Sequence, residues 1–364
     1  MAWYKNFAEG VLTMKTLIHV FLVILLLGAA TPAQWMQQKS GSTARFRGVS
    51  VANRTVAWAS GSGGTYARTT DGGESWSSAV VPDASQLDFR DVEAVDANTA
   101  YLLSIGPGEQ SRIYKTTDGG QAWALQFTNH NPKAFFDAFA FWDARAGIAM
   151  SDPVDGRFIL IKTIDGGVTW KELPGNGLPA ALEGEAAFAA SGTCIAVQGK
   201  KNVWIGTGGA ATARVFRSTD GGTTWNTATT PITAGNASSG IFSIAFKDAR
   251  NGAIVGGDYK KESEAGNNLA TTTNGGATWT LAKGPGPSGF RSAVAYVPGA
   301  RDPVVVAVGP SGSDYSFDNG GSWMSLGTMG FHACGFAGVG AGWGVGENGR
   351  IAKLSLQGIP KVSR

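Results

Sequence analysis

A short unit recurs six times along this 364-residue chain and constrains its fold more than any other feature. The first copy runs from Thr69 to Trp76 and reads TTDGGESW. Its Asp can accept hydrogen bonds from the N–H groups of the following turn, and its glycines supply the positive φ angles that a tight turn needs. The Trp then begins a strand and buries its ring. The unit therefore predicts a hairpin with an aromatic anchor.

All six copies, which we call the boxes, share this order of residues. Because an Asp in a turn usually caps backbone, we expect the boxes to be structural. Successive box tryptophans lie 47, 47, 55, 54 and 44 residues apart, a period typical of repeat folds. The turn residues are Asp71, Asp118, Asp165, Asp220, Asn274 and Asp318, and the tryptophans are Trp76, Trp123, Trp170, Trp225, Trp279 and Trp323.

Four short apolar strands fill each period, which is the content of one β-propeller blade. A seventh unit begins at Phe331 but lacks a box and a fourth strand. Residues 34–38 precede the first repeat as Trp-led fourth strands precede the others, so we expect this N-terminal strand to close the ring and remove its exposed edges. The sequence predicts an all-β fold, a seven-bladed β-propeller over residues 34–358, with a short tail at 359–364.

The first 33 residues have the pattern of a signal peptide. Lys15 precedes an apolar run of 11 residues, Leu17 to Leu27, and small residues follow it up to Ala33. Met14 would be the more ordinary start of such a signal. We expect export to the periplasm or beyond, with no membrane attachment after cleavage; an uncleaved anchor is the alternative. Cys194 and Cys334 fall in different repeats and are expected to be buried free thiols.

The composition argues against several classes of function. The formal charge is +3 and no basic run is interleaved with aromatics, so nothing indicates nucleic-acid binding. Only three histidines occur, one of them in the signal, so no metal cluster is visible. The chain has no dinucleotide fingerprint, haem motif, copper ligand set or phosphate loop. We expect a monomer without cofactor or metal.

The starts of the predicted inner strands, aligned by eye, form one column around the ring. Three guanidiniums there would make a concave positive site for carboxylates. The alternative is that each Arg pairs with a nearby acid, such as Asp91, and only joins blades. In the fourth repeat we place the inner strand from about Glu185 and the second strand at Cys194–Val197. The column is Arg47, Arg90, Phe136, Glu185, Phe242, Arg291 and His332, with Asp137 next in the third strand.

The loops between second and third strands lengthen in repeats three to five, at residues 151–156, 206–211 and 256–266. Longer loops on one side of the ring indicate that this side binds a ligand. Its polar candidates are Asp152, Asp155, Asp258 and Tyr259, although turn capping or solvation would explain each of them alone.

The boxes match the Asp-box, or BNR, repeat. With Phe-Arg-x-Val inner strands, the whole mature chain resembles the photosystem II stability/assembly factor-like family of BNR propellers, and its bacterial secreted members in particular. The resemblance implies a non-enzymatic scaffold or chaperone that holds a protein partner, with an Arg-rich surface taking part in the photosynthetic members. The positions that correspond here are Arg47, Arg90 and Arg291.

An exported glycoside hydrolase is the alternative, because sialidases and xyloglucan-degrading enzymes also carry Asp-boxes. Paired carboxylates could come from Asp137, Asp152, Glu183 and Glu185. No Tyr-Glu pair of the kind that sialidases need can be placed. A glycan-binding role without catalysis would need exposed aromatic platforms, for which Tyr259 is the clear candidate.

Overall fold

The structure, a computed structural model, describes residues 33–173, 177–284 and 286–356. The predicted signal, apart from its last residue, and the predicted tail lie outside this range. Seven antiparallel four-stranded sheets form the blades of a propeller, which confirms the predicted fold. Within the described ranges, no helix has the length and apolarity that crossing a membrane would require.

Blades 1 to 6 each follow the chain from the inner to the outer strand. Blade 1 is β2 (Phe46–Val51), β3 (Ala57–Gly61), β4 (Thr65–Thr69) and β5 (Ser77–Val80). Blade 2 is β6 (Asp88–Ala94), β7 (Ala100–Ile105), β8 (Arg112–Thr116) and β9 (Ala124–Thr128), with a 3-10 turn at Gly108–Gln110. Blade 3 is β10 (Phe136–Phe141), β11 (Gly147–Val154), β12 (Arg157–Thr163) and β13 (Lys171–Glu172). Blade 4 is β14 (Ile195–Gln198), β15 (Asn202–Gly206), β16 (Arg214–Ser218) and β17 (Asn226–Thr229).

Blades 5 and 6 have the same order, and blade 7 has it for its first three strands. Blade 5 is β18 (Ser239–Phe246), β19 (Gly252–Asp258), β20 (Leu269–Thr272) and β21 (Thr280–Leu281). Blade 6 is β22 (Ala293–Tyr296), β23 (Val305–Gly309), β24 (Gly312–Ser316) and β25 (Met324–Gly327). Blade 7 is β26 (Ala333–Gly338), β27 (Ala341–Val345), β28 (Ile351–Ser355) and, as its outer strand, β1 (Gln34–Gln38) from the start of the propeller.

The ring closes through this N-terminal strand, as predicted. β1 runs antiparallel to β28, with Trp35 opposite Leu354. The Trp35 indole donates to the hydroxyl of Ser313 in blade 6 at 2.8 Å and packs 4.5 Å from the ring of Phe331. One buried ring therefore joins the first strand to the last two blades.

The box turns satisfy their own backbone. In the first box, the carboxylate of Asp71 accepts the N–H of Ser75 at 3.0 Å, and the hydroxyl of Thr69 accepts the N–H of Gly73 at 2.9 Å. Gly73 has a φ of 87°, which a side chain would strain. In the third box, hydrogen bonds led by that from the Thr169 hydroxyl hold the pKa of Asp165 down to about 2. The box carboxylates are thus charged and engaged as turn caps.

Basic side chains next to the boxes join neighbouring blades. The ammonium of Lys115 donates to the carbonyl of Gly166 in the next box at 2.7 Å and lies 5.1 Å from the centre of the Tyr101 ring. Lys162 and Lys353 make the same bond to the carbonyls of Gly221 and Gly72. Hydrophobic clusters lie between adjacent sheets beneath these contacts, and Cys194 and Cys334 are buried and free.

The fourth blade departs from the predicted strand assignment. Its inner strand is β14 and its second strand is β15, so placing the inner strand from about Glu185 and the second at Cys194–Val197 was wrong. The physical reason is that residues 186–193, which we call the plug, leave the sheet and reach across the central channel.

Three contacts hold the plug to distant blades. The Ala187 N–H donates to Asp152 Oδ1 of blade 3 at 2.8 Å, and the Ala189 carbonyl accepts from Arg90 of blade 2 at 2.9 Å. The Ser191 hydroxyl donates to a blade 6 carbonyl, that of Ser292, at 2.9 Å. The plug therefore lies between the two ends of the channel.

Candidate binding cleft at the channel mouth

The register of the inner strands determines which residues of the seven blades are equivalent. The last inner-strand residue paired with the second strand is Val51 in blade 1 and Tyr296 in blade 6. The equivalent of this position is Val197 in blade 4, one residue before the last pair, and Phe336 in blade 7, the last residue before the pairing becomes irregular. Counting four residues back gives one equivalent residue in every blade. The structural column is Arg47, Arg90, Asp137, Thr193, Phe242, Ser292 and His332.

Alignment by eye was therefore wrong at three positions, Phe136, Glu185 and Arg291. A slip of one residue moves a strand side chain to the opposite face of the sheet. In blades 1, 2, 3 and 5 the pairing also shifts at the column residue itself, for example between Phe46 and Gly48. Such bulges re-aim side chains, and a sequence pattern of alternating residues does not show them.

Arg291 is a buried structural residue and not part of the mouth. Its side chain has no exposed surface, and its Nε and Nη2 contact Asp314 Oδ2 at 2.8 and 2.6 Å. Nη1 donates to the carbonyl of Phe290, and the hydroxyl of Ser288 accepts from Nη2. The guanidinium thus has a carboxylate partner within its own blade.

Glu185 and Asp258 also have local structural partners. The buried carboxylate of Glu185 forms an ion pair with Arg214 and accepts the hydroxyl of Thr207 at 2.6 Å. Asp258 accepts the N–H of Lys260 at 3.0 Å, a turn cap. Neither residue lines the mouth.

A cleft of about 430 Å³ opens at the mouth, above the plug. It brings together five of the residues singled out from the sequence: Arg47, Arg90, Phe242, Tyr259 and His332. Sequence reasoning missed Phe188, Phe290, Glu262 and Glu347, which also line it. Glu347 lies in the tight turn between β27 and β28, where loop length gave no signal, and Phe188 lies on the misassigned plug.

One wall of the cleft is charged and centres on His332. Arg47 Nη1 donates to His332 Nδ1 at 3.0 Å, so His332 Nε2 carries the proton and donates to Glu347 Oε1 at 2.7 Å. Burial, and then the neighbouring charge of Arg47, lower the pKa of His332 to about 4. The imidazole is therefore neutral near pH 7 and orients both charged neighbours.

Arg47 lacks a carboxylate partner among the described residues. Arg45 and Arg90 share Asp88, at 3.3 and 3.0 Å, whereas the Nε of Arg47 is buried with no hydrogen-bond acceptor. Burial, followed by repulsion from Arg90 and Arg45, lowers the pKa of Arg47 to about 10. The guanidinium stays charged at pH 7 and keeps donors available for a ligand.

The opposite wall is aromatic. The rings of Phe188 and Phe242 stack at 3.9 Å with 7° between their planes. Phe290 meets Phe242 edge-on at 4.6 Å, and Tyr259, 44% exposed, packs at 6.0 Å. The plug supplies Phe188, so it builds this wall as well as the floor of the cleft.

Asp137 and Asp152 lie beside the plug and do not line the cleft. Burial, and then the neighbouring Asp152, raise the pKa of Asp137 well above its usual value, and burial raises that of Asp152 to about 6. Asp137 is 1% exposed, so its carboxyl is closed off from a substrate in the cleft. Across the described ranges, no three His, Cys, Asp or Glu side chains form a group that could hold a metal.

Solved structures with this architecture include two of YCF48. One, YCF48 bound to D1 peptide, is 17% identical with a TM-score of 0.61, covering 91% of this chain and 99% of that one. The other, YCF48 from Cyanidioschyzon merolae, has the same identity and TM-score over 89% and 99% of the two chains. The fold is that of YCF48.

A GH74 enzyme from Niastella koreensis is a more distant match, with 16% identity and a TM-score of 0.36. The match covers 80% of this chain and 51% of that one. No protein-family model and no curated protein sequence matches this chain. The likeness to YCF48 concerns the course of the backbone, so the chemistry of the cleft has to be argued from its own residues.

Proposed function

We propose that this protein is an exported, non-catalytic scaffold that holds a segment of a protein partner in the mouth cleft. The observation that carries the proposal is the guanidinium of Arg47, charged and largely buried without a carboxylate partner among the described residues. A buried charge is costly unless it is paired. A ligand that supplies a carboxylate would remove that cost.

The two walls define the ligand. A carboxylate can accept two parallel hydrogen bonds from a guanidinium, and the aromatic wall around Phe242 offers a surface for an apolar side chain. A cleft of about 430 Å³ takes a few side chains. We infer that the bound segment carries an acidic group beside an apolar residue. YCF48, which has the same fold, has been solved with a peptide bound, and this supports a peptide as ligand.

Photocrosslinking from the cleft tests this proposal. Tyr259, exposed at the rim, is replaced by the photoreactive amino acid p-benzoyl-phenylalanine, and the mature protein is irradiated in the native exported fraction. We expect one dominant protein to be crosslinked, through a segment that mass spectrometry identifies as acidic and apolar.

The matched pair of variants is Arg47→Gln and Arg68→Gln. Arg68 donates to the carbonyl of Ala97 at 2.8 Å, away from the cleft, so its replacement is the control for loss of one charge. Crosslinking should fall about tenfold in Arg47→Gln only, since hydrogen bonds to charged groups contribute about 1.5–3 kcal/mol. Equal yield in both variants would refute a role for Arg47. Binding of an oligosaccharide, with no crosslinked protein, would replace the proposal with the glycan-binding alternative.

A further inference from the structure

A second chamber, of about 670 Å³, lies at the other end of the central channel. The inner strands of blades 2 to 7 all contribute to its lining. The plug separates it from the mouth cleft, because Thr193, the last plug residue, lines the chamber, whereas Phe188 and Ala189 line the cleft. The chamber and the mouth cleft are therefore two separate cavities.

The chamber exists because one position of the inner strands is small in nearly every blade. This position immediately precedes the last paired residue of the inner strand in blades 1, 2, 3, 5 and 6, and precedes Val197 in blade 4 and Phe336 in blade 7. Around the ring it is Ser50, Glu93, Ala140, Ala196, Ala245, Ala295 and Gly335. Glu93 is the one ionisable and the one long side chain of this set, which we call the small-residue ring.

The carboxyl of Glu93 has no hydrogen-bond or ion-pair partner in the part of the chain that the structure describes. The hydroxyl of Ser50, the other polar member of the small-residue ring, accepts the N–H of Ala94 at 3.0 Å and is thereby satisfied. Burial raises the pKa of Glu93 to about 7. The chamber's other charged residues, Lys247 and Asp302, lie beyond the ends of the inner strands.

We propose that this chamber is a second binding site, for a small organic ammonium ion. The charged group of the ion binds the Glu93 carboxylate, and its apolar body packs against the alanines of the small-residue ring. An unpaired carboxylate among apolar walls matches a cation with an apolar body in both charge and surface. The volume is in the range of ordinary small-molecule sites, which hold about 300–1,000 Å³. This inference does not depend on the proposed function of the mouth cleft.

Two probes of the same shape test the proposal, 2-phenylethylamine and 2-phenylethanol. The first carries an ammonium group at pH 8 where the second has a hydroxyl, and Glu93 is largely ionised at that pH. Isothermal titration calorimetry of the mature protein should show the amine binding at least about tenfold more tightly than the alcohol, as charge-assisted hydrogen bonds are roughly twice as strong as neutral ones.

Three variants locate the site. Glu93→Gln keeps the shape and removes the charge, and should weaken amine binding about tenfold or more. Ala245→Leu adds bulk on the blade 5 side of the chamber and leaves the Glu93 side chain in place, and should weaken binding of both probes. Glu172→Gln, which removes an exposed carboxylate on β13, and Arg47→Gln in the mouth cleft should bind as the wild type does. Thermal unfolding of each variant verifies that it is folded.

The proposal is overturned if the wild type does not prefer the amine, or if Glu93→Gln binds it unchanged. It is equally overturned if Arg47→Gln loses binding while Ala245→Leu retains it, since the amine would then occupy the mouth. If Glu93→Gln does not fold, the Ala245→Leu result with the two probes decides alone.

Discussion

The guanidinium of Arg47 donates a 3.0 Å hydrogen bond to Nδ1 of His332, 285 residues further along the chain. Arg47 belongs to the first blade and His332 immediately precedes the inner strand of the seventh. Because an Arg can only donate, the contact leaves the proton of the imidazole on Nε2, facing Glu347. Closure of the ring thus also assembles the charged wall of the cleft.

His332 should make the protein less stable in acid. Its folded pKa of about 4 lies below the ordinary value of 6.5, so the unfolded chain binds a proton that the folded protein excludes. The free energy of unfolding contributed by His332 is complete above pH 6.5 and is lost as the pH falls towards 4, by up to about 3 kcal/mol. Urea unfolding of the wild type and of His332→Gln between pH 4 and 7 measures the free energy of unfolding of each. Subtracting one pH curve from the other removes the contribution of the carboxyls that both proteins share. Parallel pH curves would contradict this prediction.

Replacement by Met should destabilise the protein much more at Arg291 than at Arg47. Arg291→Met leaves the buried Asp314 without its partner and should cost about 3–5 kcal/mol of unfolding free energy. Arg47→Met removes a largely buried guanidinium that has no carboxylate partner among the described residues, and should change stability by less than about 1 kcal/mol. Urea unfolding at pH 7 compares the two. The double variant Arg291→Met/Asp314→Leu should recover part of the loss, and equal losses in the two single variants would argue against this division of roles.

The box carboxylates should act as hydrogen-bond acceptors rather than as charges. Asn274 already replaces Asp in the fifth box, and its Oδ1 accepts the N–H of Thr278 at 3.0 Å, as Asp165 accepts that of Thr169 at 2.9 Å. We expect Asp165→Ala to lower Tm by roughly 2–4 °C and Asp165→Asn by less than half as much. Calorimetry of the two variants checks this, and an equal loss in both would show that the charge itself matters.

Trp35 should carry much of the stability of the ring closure. It is 7% exposed and contacts both Ser313 and Phe331, so Trp35→Ala should cost about 3–5 kcal/mol. Met36→Ala, on the same strand and 46% exposed, is the control and should be nearly neutral. Light scattering should also show aggregation of Trp35→Ala, because an open ring exposes a strand edge. A loss no greater than that of Met36→Ala would mean that the closure depends on the backbone pairing alone.

Repetition made much of the fold predictable. Each box encodes its own turn through contacts within eight residues, and six copies with one period predict blades. The terminal strand was predictable for the same reason, since residues 34–38 have the pattern of an outer strand without an inner one. Local hydrogen bonds and alternating burial determine such features, and both are visible in a sequence.

The site itself was only partly predictable. The sequence pattern identified Arg47, Arg90 and His332 correctly, because their strands share a common pattern. The prediction for Arg291 was wrong by one residue of strand register. The prediction for Glu185 was wrong because the plug leaves the sheet there. The position of the plug depends on groups from three other blades, namely the side chains of Asp152 and Arg90 and the backbone carbonyl of Ser292. Contacts between residues so far apart in the chain are not visible in a sequence pattern.

By itself, then, the sequence determined the repeat, the number of blades and the strand that closes the ring, because these follow from hydrogen bonds within each box and from the repetition of one strand pattern along the chain. Only the tertiary structure decided which guanidinium is buried against a carboxylate and which faces the cleft. A shift of one residue in strand pairing reverses the direction of a side chain, and that pairing results from packing between blades far apart in the chain.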